Sequence, residues 1–542
     1  MTGIDPPAST DVRAAWPAGL GASGVSRPVL AAIAAGLALL YLAGVTGLWW
    51  PTPDSALYLG LGRSIAEGEG YRFNGQPHNL VSPGLPLILA ALRMVAGEGF
   101  WAPNLLMCLL GLLAVFFIFR VFQQQAGTGL AAAVTVAVAM SYSFYLNAHR
   151  ILSDMPFLAM FWIIIYAALR VEVGRRVWLV GVALLSVVGV AIRVPGLAAL
   201  TALAGAMILQ GGAKNRSLRP LEIAGALLAS LTAVALGLLA LAYTVQPTPP
   251  PYARIFMLHG NLSGYFAHFL WAISDLPAEA CLALTGQTFA PLGVAFLALG
   301  VLGSVRLWRH GRRVWATLWV LYVLGLAFSC GAGSIRARYL LPIQPALTYA
   351  VLAGFCQVVG WLTPAARKAA SSRVLSTWVL IFVGALSAMN VPKILRHAVW
   401  YSYLSHTPRY YQVIRDGRYA EMMEVARLLR ERTPPRKTVA IREDLTILHF
   451  LSRQRMVAFP GPRSIAEANL RKSALIFHPD LAYLVLKTGE DPHALEVLRQ
   501  AAAQPASSLR EIFRGRHYEA FEVLPGARIE SGSQRPAPGP QG

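Results

Sequence analysis

Long runs of apolar residues recur along the first 390 residues of the chain. A helix that spans a bilayer needs about 17 to 25 mostly apolar residues. The first run is 29–50, which has Trp49 and Trp50 at its predicted outer interface. Ten more follow at 101–122, 128–147, 155–170, 177–193, 196–210, 221–245, 286–305, 314–333, 342–361 and 375–392. The pattern predicts a polytopic α-helical membrane protein with about eleven transmembrane helices.

Two shorter stretches follow the first predicted span. Residues 84–97 are apolar but too short to cross a bilayer, which favours a re-entrant or interfacial helix. Residues 54–67 place Leu57, Leu61 and Ile65 at four-residue intervals. This spacing predicts a short helix that lies on the membrane surface.

The pattern changes beyond about residue 393, where polar residues become frequent. Helices are predicted at 416–431 and 492–503, and short strands at 438–441, 456–459, 482–486 and 517–524. Strands that alternate with helices are typical of a small α/β domain. The tail from Pro525 is rich in Pro, Gly and Ser, which predicts disorder.

The predicted organisation has four parts. They are a cytoplasmic tail 1–28, a transmembrane domain 29–392, a soluble extracytoplasmic α/β domain 393–524 and a disordered tail 525–542. The first span is longer than the apolar core of a signal peptide, so it should be retained. Two outer loops are predicted, a catalytic one at 51–100 and an aromatic-rich one at 246–285, whose rings favour an interfacial helix.

Composition agrees with this class of protein. Of 542 residues, 56% are hydrophobic and 13% are charged, whereas soluble proteins carry about 25% charged residues. The net charge of +21 lies largely in short loops between apolar segments, so we expect no nucleic-acid partner. Basic residues favour the cytoplasmic side, which places the N-terminus inside and, after an odd number of spans, the C-terminal domain outside. The four cysteines lie in or beside apolar segments without metal-type spacing and should be inert buried thiols.

Asp54 is the first candidate for chemistry, because it lies at the outer end of a membrane helix. A carboxylate at the membrane rim is costly and is therefore a functional hypothesis by default. In the predicted helix, Asp54 shares a face with Tyr58, four residues on. The alternative is a plain N-cap that satisfies free backbone amides.

Asp154 is the second candidate, on the outer side before the fourth span. It can cap the helix that Pro156 opens. It can also share work with Asp54, one as base and one as cation ligand. His78 and His149 are the outer imidazoles near these acids, as metal ligands or as ordinary hydrogen-bonded side chains.

Some arginines lie at the predicted outer ends of spans, although basic residues usually favour the cytoplasmic side. Arg336, Arg338 and Tyr339 precede the tenth span, and Arg193 follows the fifth. An arginine fork matches a phosphate, although such residues can also snorkel to headgroups. The sequence has neither a glycine-rich phosphate loop nor a zinc pattern. No nucleotide cofactor is therefore expected, and the pattern favours a donor already in the membrane.

A series of motifs together resembles the GT-C glycosyltransferases, in particular the bacterial branch of the protein O-mannosyltransferase and aminoarabinose transferase superfamily. The motifs are Pro53-Asp54-Ser55-Ala56-Leu57-Tyr58-Leu59, Ile65-Ala66-Glu67-Gly68, Gly70-Tyr71, Ser82-Pro83-Gly84-Leu85-Pro86-Leu87, Arg150-Ile151-Leu152-Ser153-Asp154, Arg193-Val194-Pro195-Gly196 and Arg338-Tyr339-Leu340-Leu341-Pro342. The resemblance covers the membrane part, and each motif falls on the predicted outer side. It departs from the family where Ser55, rather than a second acid, follows Asp54.

The resemblance implies an inverting transfer of a sugar from a polyprenyl-phosphate carrier to a lipid, glycan or protein on the outer face of the cytoplasmic membrane. Asp54 would match the loop-one carboxylate, and Asp154 the second acid, near the donor or a divalent cation. Arg338, with Arg336, would hold the donor phosphate. Tyr58, His78, Arg193 and Tyr339 complete the predicted substrate-binding set, with His78 and Asp154 as the candidate metal ligands. The alternatives are a transporter or flippase of lipid-linked sugars and a ligase or polymerase of surface polysaccharide.

Overall fold

The computed structural model describes most of the chain, in stretches with gaps between them. The described residues are 25–78, 81–172, 177–193, 196–211, 220–232, 262–329, 335–362, 372–407, 409–432, 438–441, 444–458, 481–489, 492–503 and 509–524. The start of the predicted loop 246–285 and the tail 525–542 lie outside them, as does Cys330.

Helices form most of the described structure. In chain order they are α1 Arg27–Ala43, α2 Pro53–Ala66, α3 Gly84–Ala96, α4 Trp101–Ala126, α5 Thr128–Ala139, α6 Tyr142–Asn147, α7 Asp154–Glu172, α8 Trp178–Ile192, α9 Gly196–Gly211, α10 Pro220–Thr232, α11 Leu262–Ser274, α12 Leu276–Thr285, α13 Ala290–Arg309, α14 Arg313–Ser329, α15 Ala337–Leu340, α16 Gln344–Leu362, α17 Ser372–Leu395, α18 Ser402–Ser405, α19 Tyr410–Val413, α20 Arg418–Arg432, α21 Leu445–Ser452 and α22 Pro492–Ala502. A π-helical stretch, Arg396–Tyr401, joins α17 to α18.

The chain divides into two compact units. The first unit comprises Met1–Trp49, Asn79–Ile88 and Leu92–Tyr403, and the second comprises Trp50–His78, Leu89–Ala91 and Leu404–Gly542. This division differs from the predicted one in two places. The first half of the outer loop 51–100 belongs with the C-terminal residues, and the C-terminal part begins at Leu404 because the helix predicted to end at 392 continues to Ser405.

The apolar helices support a membrane location. Five described segments are long and apolar enough to cross a membrane, namely Trp101–Ala126, Asp154–Val171, Ala290–Arg309, Ala337–Leu362 and Val374–Ser405. Each remaining predicted span contains a shorter apolar helix, and so does the stretch 84–97. The number of eleven spans stays a prediction.

The first predicted span is shorter than expected. Helix α1 ends at Ala43, and the backbone from Gly44 to Thr52 is not helical. The side-chain amide of buried Asn104 donates to the carbonyl oxygens of Thr46 and Leu48, at 2.8 Å each, which satisfies part of this backbone. That Trp49 marks the membrane interface stays a prediction. Its ring is buried and stacks on Phe100, with centroids 5.9 Å apart.

The third predicted span is interrupted at residues 140 and 141, between α5 and α6. Ser141 caps α6 by accepting a hydrogen bond from the backbone N–H of Phe144 at 3.3 Å. The buried amide of Gln344 donates to the Ser141 hydroxyl and to the carbonyl of Ala283, at 2.8 Å each. Buried polar groups need such partners, so this break is built into the packing of the first unit.

Helices α13 and α16 approach closely at two glycines. A Cβ atom on Gly303 would lie 1.8 Å from the carbonyl oxygen of Ala350, and one on Gly354 would lie 2.0 Å from that of Leu299. Small residues at such crossings let backbones come into contact, which stabilises helix pairs in lipid.

The second unit holds the described strands. They are β1 Arg72–Phe73, β2 Gln76–Pro77, β3 Thr438–Ile441, β4 Arg455–Ala458, β5 Leu481–Lys487, β6 Leu509–Arg514 and β7 Tyr518–Val523. Strands β1 and β2 form a hairpin, and the others form a mixed sheet in the order β4-β3-β5-β7-β6. The neighbours β4, β3 and β5 are parallel, whereas β7 is antiparallel to β5 and β6.

The sheet matches the pattern of the C-terminal sequence. Strand β5 is buried along nearly its whole length, and its Leu484 and Leu486 pack with Leu495 and Leu498 of α22. The strands predicted at 438–441, 456–459, 482–486 and 517–524 are observed within a residue of those bounds, and so are the helices predicted at 416–431 and 492–503, within two residues. Strand β6 and helix α21 were not predicted.

Helix α2 forms where the four-residue spacing predicts it, but its predicted setting is wrong. Leu57 and Leu61 are buried in the protein, and α2 packs on α21 within the second unit. The apolar face of α2 is therefore covered by protein and does not lie on a membrane surface. The prediction of buried thiols is confirmed for Cys108, Cys281 and Cys356.

We expect Gly303→Val to lower the midpoint of thermal unfolding by several degrees or to prevent folding, because its Cβ would overlap the backbone of α16. Gly384→Val on α17 is the matched control, since nothing lies within 4 Å of its added Cβ. Size-exclusion chromatography of heated, detergent-solubilised protein measures both midpoints. Equal midpoints for the two variants would contradict the close helix crossing.

Candidate functional site

A buried ion pair lies at the start of α7. Nη1 of Arg193, the residue after α8, is 2.5 Å from Oδ1 of Asp154, the first residue of α7. Only 9% and 3% of the two side chains are exposed. Arg193 also donates to the Ser153 hydroxyl at 3.4 Å. A carboxylate at a helix N-terminus is favoured by the helix dipole, and pairing it removes much of the cost of burying its charge.

Tyr339 links this ion pair to a second arginine. Its ring centroid is 5.6 Å from the guanidinium carbon of Arg193 and 5.0 Å from that of Arg338. Arg338 also donates to the Tyr339 hydroxyl at 3.2 Å, and the Tyr322 hydroxyl donates to the backbone carbonyl of Tyr339 at 2.6 Å. Three predicted motifs, those of Asp154, Arg193 and Arg338-Tyr339, are thus neighbours. We call Asp154, Arg193, Arg338 and Tyr339 the arginine cluster.

Arg336 has a different partner. Its guanidinium lies 3.6 Å from Oε1 of Glu279, and 63% of its side chain is exposed. The other oxygen of Glu279 accepts a hydrogen bond from the backbone N–H of Ala337 at 2.6 Å. Glu279 therefore positions the start of α15 and pairs with Arg336, whereas Arg338 belongs to the arginine cluster.

The residues at Asp154 do not fit a divalent cation. Arg193 already balances the charge of Asp154, and the two ring nitrogens of His149 each face a carbonyl oxygen at 2.8 Å, those of Tyr145 and Tyr41. A metal ligand needs a free lone pair on one ring nitrogen. Within the described ranges, no group of three His, Cys, Asp or Glu is arranged to hold a metal. The divalent cation stays a prediction.

Asp54 lies in the first turn of α2, but it is not the cap of this helix. Thr52 is the N-cap, and its hydroxyl accepts a hydrogen bond from the backbone N–H of Ser55 at 3.1 Å. The Ser55 hydroxyl in turn accepts from the backbone N–H of Thr52 at 3.0 Å. This reciprocal capping box satisfies the helix start. The departure at Ser55 thus has a structural role, and half-buried Asp54 is not needed for capping.

Tyr58 and His78 lie near Tyr71 in the second unit. Burial, and secondarily the nearby Tyr58, raises the pKa of Tyr71 above its usual range. The ring of His78 meets those of Tyr71 and Phe73 edge-on, with centroids 5.9 and 6.3 Å apart. Burial lowers the pKa of His78 to about 4, so this imidazole is neutral at neutral pH. Its buried Nε2 has no hydrogen-bond partner among the described residues, which suits a group that a ligand completes.

Sequence reasoning missed Glu279, Tyr322 and the role of Ser55. The sequence could have indicated Glu279 as a functional candidate, because the loop 246–285 contains only two acidic residues and Glu279 is one of them. Tyr322 lies in an apolar helix, where the sequence does not distinguish it from an ordinary core aromatic.

No protein-family model matches the sequence, and no curated protein is significantly similar to it in sequence. Solved structures do match. ArnT from Cupriavidus metallidurans bound to undecaprenyl phosphate has a TM-score of 0.59 at 16% identity, covering 93% of this chain and 100% of that one. Its apo state has a TM-score of 0.56 at 15% identity, covering 92% and 99%. An Archaeoglobus fulgidus oligosaccharyltransferase tethered with an acceptor peptide has a TM-score of 0.51 at 11% identity, covering 86% and 70%.

This chain has the GT-C fold. At these low identities the likeness concerns the fold and does not extend to individual residues. It covers nearly all of the chain, so the GT-C fold here includes residues of both units.

We expect Asp154→Asn to destabilise the protein by about 3–5 kcal/mol, because it removes the carboxylate that faces the buried charge of Arg193. Arg193→Met alone should cost a similar amount. The double variant Asp154→Asn/Arg193→Met should cost less than the sum of these two single variants, and a double-mutant cycle on thermal stability measures the coupling. Additive losses would contradict the ion pair.

Proposed function

We propose that this protein is an integral-membrane inverting glycosyltransferase. It moves a sugar from a polyprenyl-phosphate carrier to an acceptor on the outer face of the cytoplasmic membrane. The observation that carries the proposal is the arginine cluster, where two arginines lie against one tyrosine beside a buried carboxylate. ArnT, which shares the fold, was solved with undecaprenyl phosphate bound.

Arg338 is the proposed ligand of the donor phosphate. Arg338 is half-buried, and its guanidinium contacts the ring and the hydroxyl of Tyr339. A fixed guanidinium aimed at developing negative charge lowers the barrier without reorganising during the reaction. The guanidinium of Arg193 lies over the ring of Tyr339 as well, which brings a second positive charge to this place. The ion pair with Asp154 holds Arg193 there. We therefore assign Asp154 a positioning role rather than a metal-binding one.

Asp54 is the proposed general base. It takes the proton of an acceptor hydroxyl or amine while that atom forms its bond to the anomeric carbon of the sugar. The bond between this carbon and the carrier phosphate breaks, and its electron pair leaves with the polyprenyl phosphate. Attack on the face opposite the leaving phosphate inverts the anomeric configuration. No step depends on a divalent cation.

The proposed setting follows the distribution of charge along the sequence. Eleven spans, with the N-terminus in the cytoplasm, put Asp54, Asp154, Arg193 and Arg338 on the outer side together with the C-terminal sheet. The acceptor is a lipid, a glycan or a protein. Tyr58 and His78 are proposed to contact substrate, since the buried Nε2 of His78 suits a ligand hydroxyl.

The test uses purified protein in nanodiscs with a panel of radiolabelled polyprenyl-phosphate sugars. We expect the wild type to consume one donor and release polyprenyl phosphate, whereas Asp54→Asn should lose transfer while keeping expression and membrane insertion. The loss follows because an amide cannot accept the proton.

Thr52→Ala is the matched control two residues away. It removes the cap of α2, which costs about 1 kcal/mol of stability, and should keep transfer. Retained transfer in Asp54→Asn would overturn the proposed base. Movement of a lipid-linked sugar between leaflets without turnover would replace the transferase by a transporter.

A further inference from the structure

A polar pocket lies within the second unit, on the half of α2 that follows Asp54. Its volume is about 660 Å³, which falls in the range of small-molecule sites, about 300–1,000 Å³. Four elements surround it: the second half of α2, the β1-β2 hairpin, the end of α21 and the segment that leads into β4. Its charged lining residues are Arg63, Glu67, Glu69, Arg72, Arg453 and Arg455.

The hairpin wall of the pocket is fixed to the sheet. Asn74 and Gly75 form its two-residue turn, both with positive φ, which is the geometry that an Asn-Gly pair favours. The side chain of Asn74 accepts a hydrogen bond from the backbone N–H of Met456 at 2.8 Å and donates to the carbonyl of the same residue. Asn74 thus pairs with β4 as a neighbouring strand residue would.

His449 joins the hairpin to α21. Its Nε2 accepts a hydrogen bond from the backbone N–H of Asn74 at 3.1 Å, so its Nδ1 carries the proton and donates to the carbonyl of Gln454 at 2.7 Å. Burial lowers the pKa of His449, which agrees with this neutral tautomer. Arg63 donates to the carbonyl of Phe450 and lies over its ring, 4.4 Å from the centroid. The walls are therefore held in place before any ligand arrives.

The charge of the lining is positive. Four arginines face two glutamates, and Arg72, Arg453 and Arg455 are exposed. Neither Arg72 nor Arg455 forms an ion pair with a carboxylate in the described part of the chain. Guanidinium groups match carboxylate and phosphate in a bidentate geometry. The amides of Gln76 and Gln454 add the donors and acceptors that sugar hydroxyls need.

We propose that this pocket binds a phosphate- or carboxylate-bearing sugar of the acceptor, as a ligand site separate from Asp54 and the arginine cluster. The assignment to the acceptor rests on the proposed transferase function, because a polyprenyl-linked donor is bound by its phosphate elsewhere. The binding of an anionic sugar itself does not depend on transfer.

The probes are glucose 6-phosphate, glucuronate and unmodified glucose, each titrated against the full chain in nanodiscs of uncharged lipid by saturation-transfer NMR. We expect at least one anionic sugar to bind about tenfold or more tightly than glucose. The double variant Arg72→Gln/Arg455→Gln should lose about tenfold or more of that affinity. Binding of glucose 6-phosphate alone would indicate a phosphorylated sugar, and binding of glucuronate alone would indicate a uronic acid.

Arg516→Gln is the matched control, an exposed arginine of the same unit outside the pocket, and it should bind like the wild type. Asp54→Asn should also bind normally, so a failure of the transferase function would leave the binding result intact. The proposal is overturned if neither anionic sugar binds better than glucose, or if the double variant binds like the wild type.

Discussion

The buried ion pair of Asp154 with Arg193 is the constraint on which the first unit depends. Each of the two charges lowers the cost of burying the other among apolar helices. Their pairing fixes the end of α8 against the start of α7. The ring of Tyr339 contacts both Arg193 and Arg338. Three separate sequence motifs are therefore neighbours in the folded chain.

The charged groups of the arginine cluster have a chemical consequence. Asp154 pairs with Arg193, and Arg338 donates a hydrogen bond to the hydroxyl of Tyr339. The side chains of the arginine cluster thus bring together two guanidinium groups and one carboxylate. In the proposed transfer, guanidinium groups near the carrier phosphate would stabilise the negative charge that grows there as the sugar departs.

Much of this was predictable from the sequence, and the failures have physical causes. Apolar runs predict membrane helices, but they do not show that Asn104 satisfies a non-helical backbone after Ala43. The sequence predicts that Asp154, Arg193 and Arg338 share one side of the membrane, whereas their contacts with one another are a matter of tertiary packing. The Asn74-Gly75 turn has a clear sequence pattern, since an Asn-Gly pair between strand-forming residues is typical of a β-hairpin. Its strands have only two residues each, which is too short to show the alternating pattern that predicts a strand.

Helix α2 shows why a periodic pattern does not identify its environment. The spacing of Leu57 and Leu61 fits a helix on a lipid surface and a helix packed on protein equally well. In the structure that face is buried, and α2 packs on α21 of the same unit. The loop that carries Asp54 is thereby part of the unit that contains the C-terminal sheet.

The most direct test of the account is binding of undecaprenyl phosphate, measured by native mass spectrometry on wild type, Arg338→Gln and Arg336→Gln. The two variants remove equal charge two residues apart, but only Arg338 belongs to the arginine cluster. The account predicts that the wild type and Arg336→Gln bind the carrier, and that Arg338→Gln binds it about tenfold or more weakly. Equal binding by both variants, or no binding by the wild type, would contradict it.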